Sequence, residues 1–156
     1  LALAVAGHPG DANDLAGRTE AAHAETLIEE ADASYTATLA RQGMDSQPQT
    51  PQLDRAEIAR TTDIDLPPVP TGWALEDVQV YPSDLGVAVA VLMRTEQGET
   101  VSLFATRAET PAEKLPLLEM HDGRSLAYWE AGPFAYALTG ELEADRVLTL
   151  AAVLAE

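Results

Sequence analysis

GVAVAVLMR, residues 86–94, is followed after a short turn by TVSLFATR, residues 100–107, and this stretch decides the fold. The first run is continuous and rich in β-branched residues, which predicts a central strand covered on both faces. Gln97 and Gly98 supply a turn, so the second run is predicted to return as the hairpin partner of the first. The protein is therefore expected to be built around an antiparallel sheet.

Shorter strand patterns lie on both sides of this hairpin. They are separated by turn residues, and the predicted strands are residues 73–81, 117–121, 124–130 and 134–139. Residues 109–116 contain two prolines and are expected to form a loop, while Asp122-Gly123 and residues 131–133 are expected to be turns. The sequence thus predicts an antiparallel β meander of five or six strands. Its expected core residues, with Trp129 at least half buried, are Phe104, Leu126, Tyr136 and Leu138.

Helical patterns flank the predicted sheet. Residues 13–42 are rich in Ala, Leu and Glu, contain no proline, and repeat apolar residues every three or four positions. This predicts a long helix that ends at Gly43 and packs on its own domain or on a second copy. Residues 52–61 predict a short helix, the proline-rich residues 65–70 an extended passage, and residues 143–155 a C-terminal helix. The predicted fold class is α+β, with N-terminal helices, the meander, and a C-terminal helix packed on the sheet.

The chain of 156 residues divides into three predicted parts. Residues 1–43 form an apolar stub and the long helix, residues 44–51 a mobile linker, and residues 52–156 the α+β domain. The apolar residues 1–7, LALAVAG, are too few to cross a bilayer, which takes about 20. They resemble the end of a membrane helix or of a signal peptide; the alternative is a hydrophobic start to a soluble protein.

The charge balance limits the classes of partner. Asp and Glu number 26 against 9 Lys and Arg, so the formal net charge is −17. Nucleic-acid affinity comes largely from Lys and Arg at phosphates, so DNA or RNA binding is not expected. The chain contains no cysteine, which excludes disulfides, thiolate-ligated zinc, iron–sulfur clusters and thiol nucleophiles.

The sequence also lacks the motifs that usually carry catalysis or cofactor binding. His8, His23 and His121 have no metal-ligand spacing, and solvent-exposed or locally hydrogen-bonded roles are expected for them. The acidic pairs Glu76/Asp77 and Glu29/Glu30 are interpreted as solvated surface. No catalytic, cofactor-binding or metal-ligating residue is predicted, no cofactor is expected, and the protein is not expected to be an enzyme.

The second half of the chain resembles a known family. Residues 98–104, GETVSLF, are followed by residues 126–142, LAYWEAGPFAYALTGEL, and by a Leu- and Ala-rich helix. This pattern is similar to the extracytoplasmic C-terminal domain of bacterial transmembrane anti-sigma factors. The resemblance covers about residues 50–156. The family's zinc-motif cytoplasmic domain and membrane helix are not in this sequence, so the chain would correspond to the sensing end alone.

The resemblance implies a periplasmic domain of a single-pass inner-membrane protein that controls the release of a sigma factor and hence transcription. It implies a sigma factor as partner, bound through a cytoplasmic domain absent from this chain. Self-association and a periplasmic regulator or protease are further partners to consider. The alternative is an exported periplasmic ligand- or protein-binding module with a cleaved signal peptide.

Overall fold

A computed structural model describes residues 9–156, with side chains from residue 12 onwards. The stub at residues 1–7 and His8 lie outside this range. The elements in chain order are α1 (Pro9–Gln42), α2 (Arg55–Thr62), β1 (Ala74–Ser83), β2 (Gly86–Arg94), β3 (Thr100–His121), β4 (Arg124–Thr139) and α3 (Ala144–Leu154). The strands form one antiparallel sheet in the order β1-β2-β3-β4. Within the described range, no helix combines the length and apolar character needed to cross a membrane.

The predicted α+β class, with helices at both ends, is confirmed, but the sheet has four strands and not five or six. Residues 109–116, expected to be a loop, lie inside β3. The pairing of β3 with β4 shifts register between Arg107 and Ala112 and again between Lys114 and Leu117. A bulge leaves residues unpaired, so the two prolines in these stretches interrupt the ladder without ending the strand.

The second expected break, at residues 131–133, is a sharp bend inside β4. The Thr139 hydroxyl donates a hydrogen bond to the Ser125 carbonyl at 3.5 Å. These two residues are 14 positions apart in the sequence, and a straight strand would separate them by ~46 Å. The Trp129 and Tyr136 rings stack with their centroids 5.4 Å apart. Gly132 has φ +58°, a conformation that glycine adopts easily. The two halves of β4 therefore lie against each other.

The sheet is covered on both faces, which explains the continuous apolar run of β2. One face packs against α3 and the chain around Ile64 and Leu66. The other packs against α1, where Leu27, Ile28 and Ala31 meet alanine-rich positions of the strands. The five predicted core residues are all buried. They divide between the two cores, with Phe104 and Leu126 on the α1 side and the other three on the α3 side.

The segment between α1 and α2 is exposed, but it is fastened near its end. Thr50 donates its N–H to the Asp77 carboxylate at 2.8 Å, and its carbonyl accepts a bond from the Val78 N–H at 2.9 Å. Farther on, Tyr136 donates its hydroxyl to the Asp65 carbonyl at 2.6 Å, which holds the proline-rich passage on the sheet. Burial raises the pKa of Tyr136 to about 12, so this hydroxyl remains a donor at neutral pH.

Candidate functional site

A cavity of about 360 Å³ lies between α1, the turn that joins β1 to β2, and the bent part of β3. This volume is at the lower end of the ~300–1,000 Å³ typical of ligand pockets. Its apolar surface includes Leu27 of α1 and Tyr128 and Ala135 of β4, all of which are buried. The site was not predicted, because its walls come from four separate parts of the chain.

The local sequence explains why space remains there. The pairing of β3 with β4 is interrupted between Arg107 and Ala112, so the strand departs from the regular sheet at the cavity wall. Ala108, Ala112 and Ala135 line this region, and their short side chains do not fill it. The helix crosses above this wall, where Glu20 and His23 pair with Lys114 and Glu109 of β3, although the side chains of residues 12–22 remain exposed to solvent. The cavity therefore opens where α1 begins to pack on the sheet.

Charged groups from α1 and β3 meet at the cavity mouth. The His23 Nε2 atom contacts the Glu109 carboxylate. The Lys114 ammonium lies 3.3 Å from Glu130 Oε1 and 3.7 Å from Glu20 Oε2. Each pair containing an α1 residue joins the helix to the strand at the cavity mouth.

Glu30 of α1 also lines the cavity. Its carboxylate accepts hydrogen bonds from the Ser83 hydroxyl at 2.8 Å and from the Asp84 N–H at 2.7 Å. Ser83 is the last residue of β1 and Asp84 begins the turn to β2, so this contact joins α1 to that end of β1. Glu29, its neighbour in the sequence, is exposed. The interpretation of Glu29/Glu30 as solvated surface is therefore correct for Glu29 and wrong for Glu30.

A second cluster joins α1 to the tip of the β3–β4 hairpin. Three side chains there each offer one atom that could bind a metal ion, and these atoms lie within 4.8 Å of one another: Asp32, His121 and Asp122. However, the Arg124 guanidinium contacts the Asp32 carboxylate and also bonds Glu141 at 3.2 Å. Burial alone lowers the pKa of Arg124, but these two carboxylates raise it above its usual value. Because the Asp32 carboxylate is already paired with the permanently charged Arg124, we interpret the cluster as a set of ion pairs that anchors α1 to the hairpin.

A third anchor holds the C-terminal end of α1. Arg41 contacts the Asp77 carboxylate and donates to the Tyr81 hydroxyl at 2.7 Å. Burial raises the pKa of Asp77, but hydrogen bonds from Thr50, Gln79 and Arg41 outweigh it and leave the pKa below its ordinary value. The side chain of Asp77 is 2% exposed. The interpretation of this residue as solvated surface is therefore wrong. Nothing in the sequence indicated its burial, because its partner Arg41 lies 36 residues earlier in the chain.

The histidines do not come together in the described part of the chain. His23 lies at the cavity mouth and pairs with Glu109, which is distant in the sequence. At the hairpin tip, the His121 Nε2 atom lies 3.6 Å from Oδ2 of its neighbour Asp122. No signal in the sequence paired His23 with Glu109. Among known proteins, no family model, curated protein or solved structure matches the chain.

Proposed function

We propose that this chain is the extracytoplasmic regulatory domain of a membrane-anchored anti-sigma factor. In this role the domain receives a signal on the outer side of the membrane, and α1 carries it towards the membrane. The sigma factor is bound by a cytoplasmic domain that is not in this chain. The observation that carries the proposal is the division of α1 into an exposed first part and a packed second part.

The helix has 34 residues and a length of about 51 Å. Side chains from residues 12–22 are all exposed, which corresponds to about three turns outside the core. From Leu27 the buried positions recur every three or four residues, at Leu27, Ile28, Ala31, Ser34, Tyr35 and Thr38. Short helices are marginal alone in water, so the exposed turns depend on continuity with the packed part. Such a helix suits a connector between the domain and a membrane-proximal segment.

The anchors along α1 support a signalling role. The helix is joined to the sheet at the cavity by His23, farther along by Asp32, and in its last turn by Arg41. Since all three lie on one continuous helix, a change at any of them is passed to the exposed turns as a movement or as a change in helix stability. We propose that the domain acts on its membrane-proximal segment in this way.

A sigma-factor pull-down tests whether the sigma factor binds outside residues 1–156, as the proposal requires. In a pull-down at about 0.15 M salt, the full-length protein should retain the sigma factor and residues 1–156 should not. The net charge of −17 can attract a basic protein, but salt at this concentration screens exposed charges beyond about 8 Å. A repeat at higher salt is the control for this attraction. Salt-resistant binding of the sigma factor by residues 1–156 alone would contradict the proposal.

The cavity supports a second candidate function, an exported ligand- or protein-binding module. Apolar walls with a few convergent charged groups are typical of small-molecule sites. Washing membranes of the native host at high pH distinguishes the two candidates. An anti-sigma factor stays in the membrane fraction, whereas a module with a cleaved signal peptide is recovered in the soluble periplasmic fraction.

A further inference from the structure

We propose that the cavity beneath α1 binds a small amphipathic cation, an organic amine or guanidine attached to an apolar body. This site is independent of the sigma-factor role, because it would be present in either candidate function. The proposal depends on the charge of the cavity, its apolar walls, and an ammonium group that the protein itself places there.

Carboxylates dominate the cavity lining. Five acidic side chains line it, against the two permanent cations Arg107 and Lys114. The Arg107 guanidinium donates hydrogen bonds to the side chain and to the backbone carbonyl of Asp63. The same guanidinium lies over the Phe134 ring. Lys114 is therefore the main positive charge that balances the cavity. An anionic ligand would be repelled, and a cationic one attracted.

Lys114 demonstrates that the cavity accommodates an ammonium group. Its Nζ atom lies between the carboxylates of Glu130 and Glu20 and 6.0 Å from the centroid of the Tyr128 ring. A cation within about 6 Å of an aromatic face is attracted by the ring. Glu130, whose side chain is only 10% exposed, has its counter-charge in Lys114. This is the recognition chemistry that an amine ligand would use.

Two carboxylates at the mouth remain accessible to a ligand. Glu20 on α1 is 65% exposed and Glu109 on β3 is 50% exposed. A cation held between them would place its apolar body against Leu27 and Tyr128 and would connect α1 to β3. Binding is therefore expected to slow amide exchange in α1 around residues 16–23, where the helix first meets the sheet.

Three probes with one apolar body and different head groups test the proposal: octylammonium, octanol and octanoate, each below its aggregation concentration. Binding is followed by amide chemical-shift changes in NMR spectra at about 0.15 M salt. Octylammonium should give saturable shifts in cavity residues, octanol should bind at least fivefold more weakly, and octanoate should not bind. Equal or tighter binding of octanoate, or octylammonium shifts spread evenly over the acidic surface, would overturn the proposal.

Variants locate the cation. Glu20→Gln/Glu109→Gln should weaken octylammonium binding about 2- to 25-fold, since each exposed ion pair contributes about a 1.4- to 5-fold effect. Glu25→Gln/Glu29→Gln is the matched control, because it removes two exposed acids of α1 that do not line the cavity. Lys114→Gln should tighten binding by removing the competing ammonium. Equal loss in both double variants, or weaker binding by folded Lys114→Gln, would contradict the proposed site.

Discussion

Replacing Trp129 with alanine tests the bend of β4 on which the fold depends. The indole is 2% exposed, belongs to the core on the α3 side, and stacks on Tyr136 across the bend. Tyr136 in turn holds the proline-rich passage through the Asp65 carbonyl. Loss of the indole therefore removes core packing and one contact between the two halves of the strand.

The expected loss of stability follows from the buried area. An aromatic side chain buries ~150–250 Å², which at ~25 cal/mol per Å² is an upper bound of ~4–6 kcal/mol. Truncations of buried Phe and Trp typically destabilise by about 3–5 kcal/mol. We expect a value in this second range, out of a total free energy of unfolding of ~5–15 kcal/mol. For a domain of this size the melting temperature should fall by about 6–20 °C.

Thermal unfolding followed by circular dichroism, together with urea titration, measures the effect. Trp73→Ala is the matched control, since Trp73 is partly buried at the margin of the same core and should cost less. Trp129→Phe keeps a ring in the stack and should fall between the parent and Trp129→Ala. If Trp129→Ala melts at the same temperature as the parent, the packing described for β4 is wrong.

Three further perturbations test other parts of the fold. Asp77→Asn should destabilise the protein by about 1.5–3 kcal/mol at pH 7. The folded-state pKa of Asp77 is lowered, so the full difference in stability between variant and parent should persist above pH ~4, the unfolded-state pKa. The difference should shrink as the pH falls through the folded-state pKa. Gly132→Ala should destabilise by about 1–2 kcal/mol in urea titrations because its φ is positive, whereas Gly17→Ala in the exposed part of α1 should not destabilise. In hydrogen-exchange experiments the amides of residues 45–47 and 49 should exchange quickly and the Thr50 amide slowly, and uniform protection of all of them would contradict the described linker.

Much of the fold could be predicted because its signals are local. The hairpin turn at Asp122-Gly123 is encoded by two residues, and both adopt the positive φ that the turn requires. The helices were predicted within a few residues of their observed ends. The strand count could not be predicted, because Pro111 and Pro116 indicate a loop but occupy interruptions of the ladder in β3. Whether a proline ends a strand depends on the partner strand, which local sequence does not specify.

The candidate site could not be predicted because its groups are paired over long distances in the chain. His23 meets Glu109, and Lys114 meets Glu20, through the packing of α1 across β3. None of these residues belongs to a motif with fixed spacing. Asp77 gives the same lesson, since two of its three hydrogen-bond donors, Arg41 and Thr50, lie far from it in the sequence.

Labelling from outside the cell tests the proposed location most directly. The chain contains no cysteine, so Ser46→Cys, placed in the exposed segment after α1, introduces the only thiol of this domain. The full-length variant is expressed in the native host and treated with a membrane-impermeant maleimide before or after lysis, and the labelled peptide is identified by its mass. Val89→Cys, at a fully buried position, is the control for labelling of unfolded protein. An extracytoplasmic regulatory domain predicts equal labelling of residue 46 before and after lysis; labelling only after lysis would contradict the account.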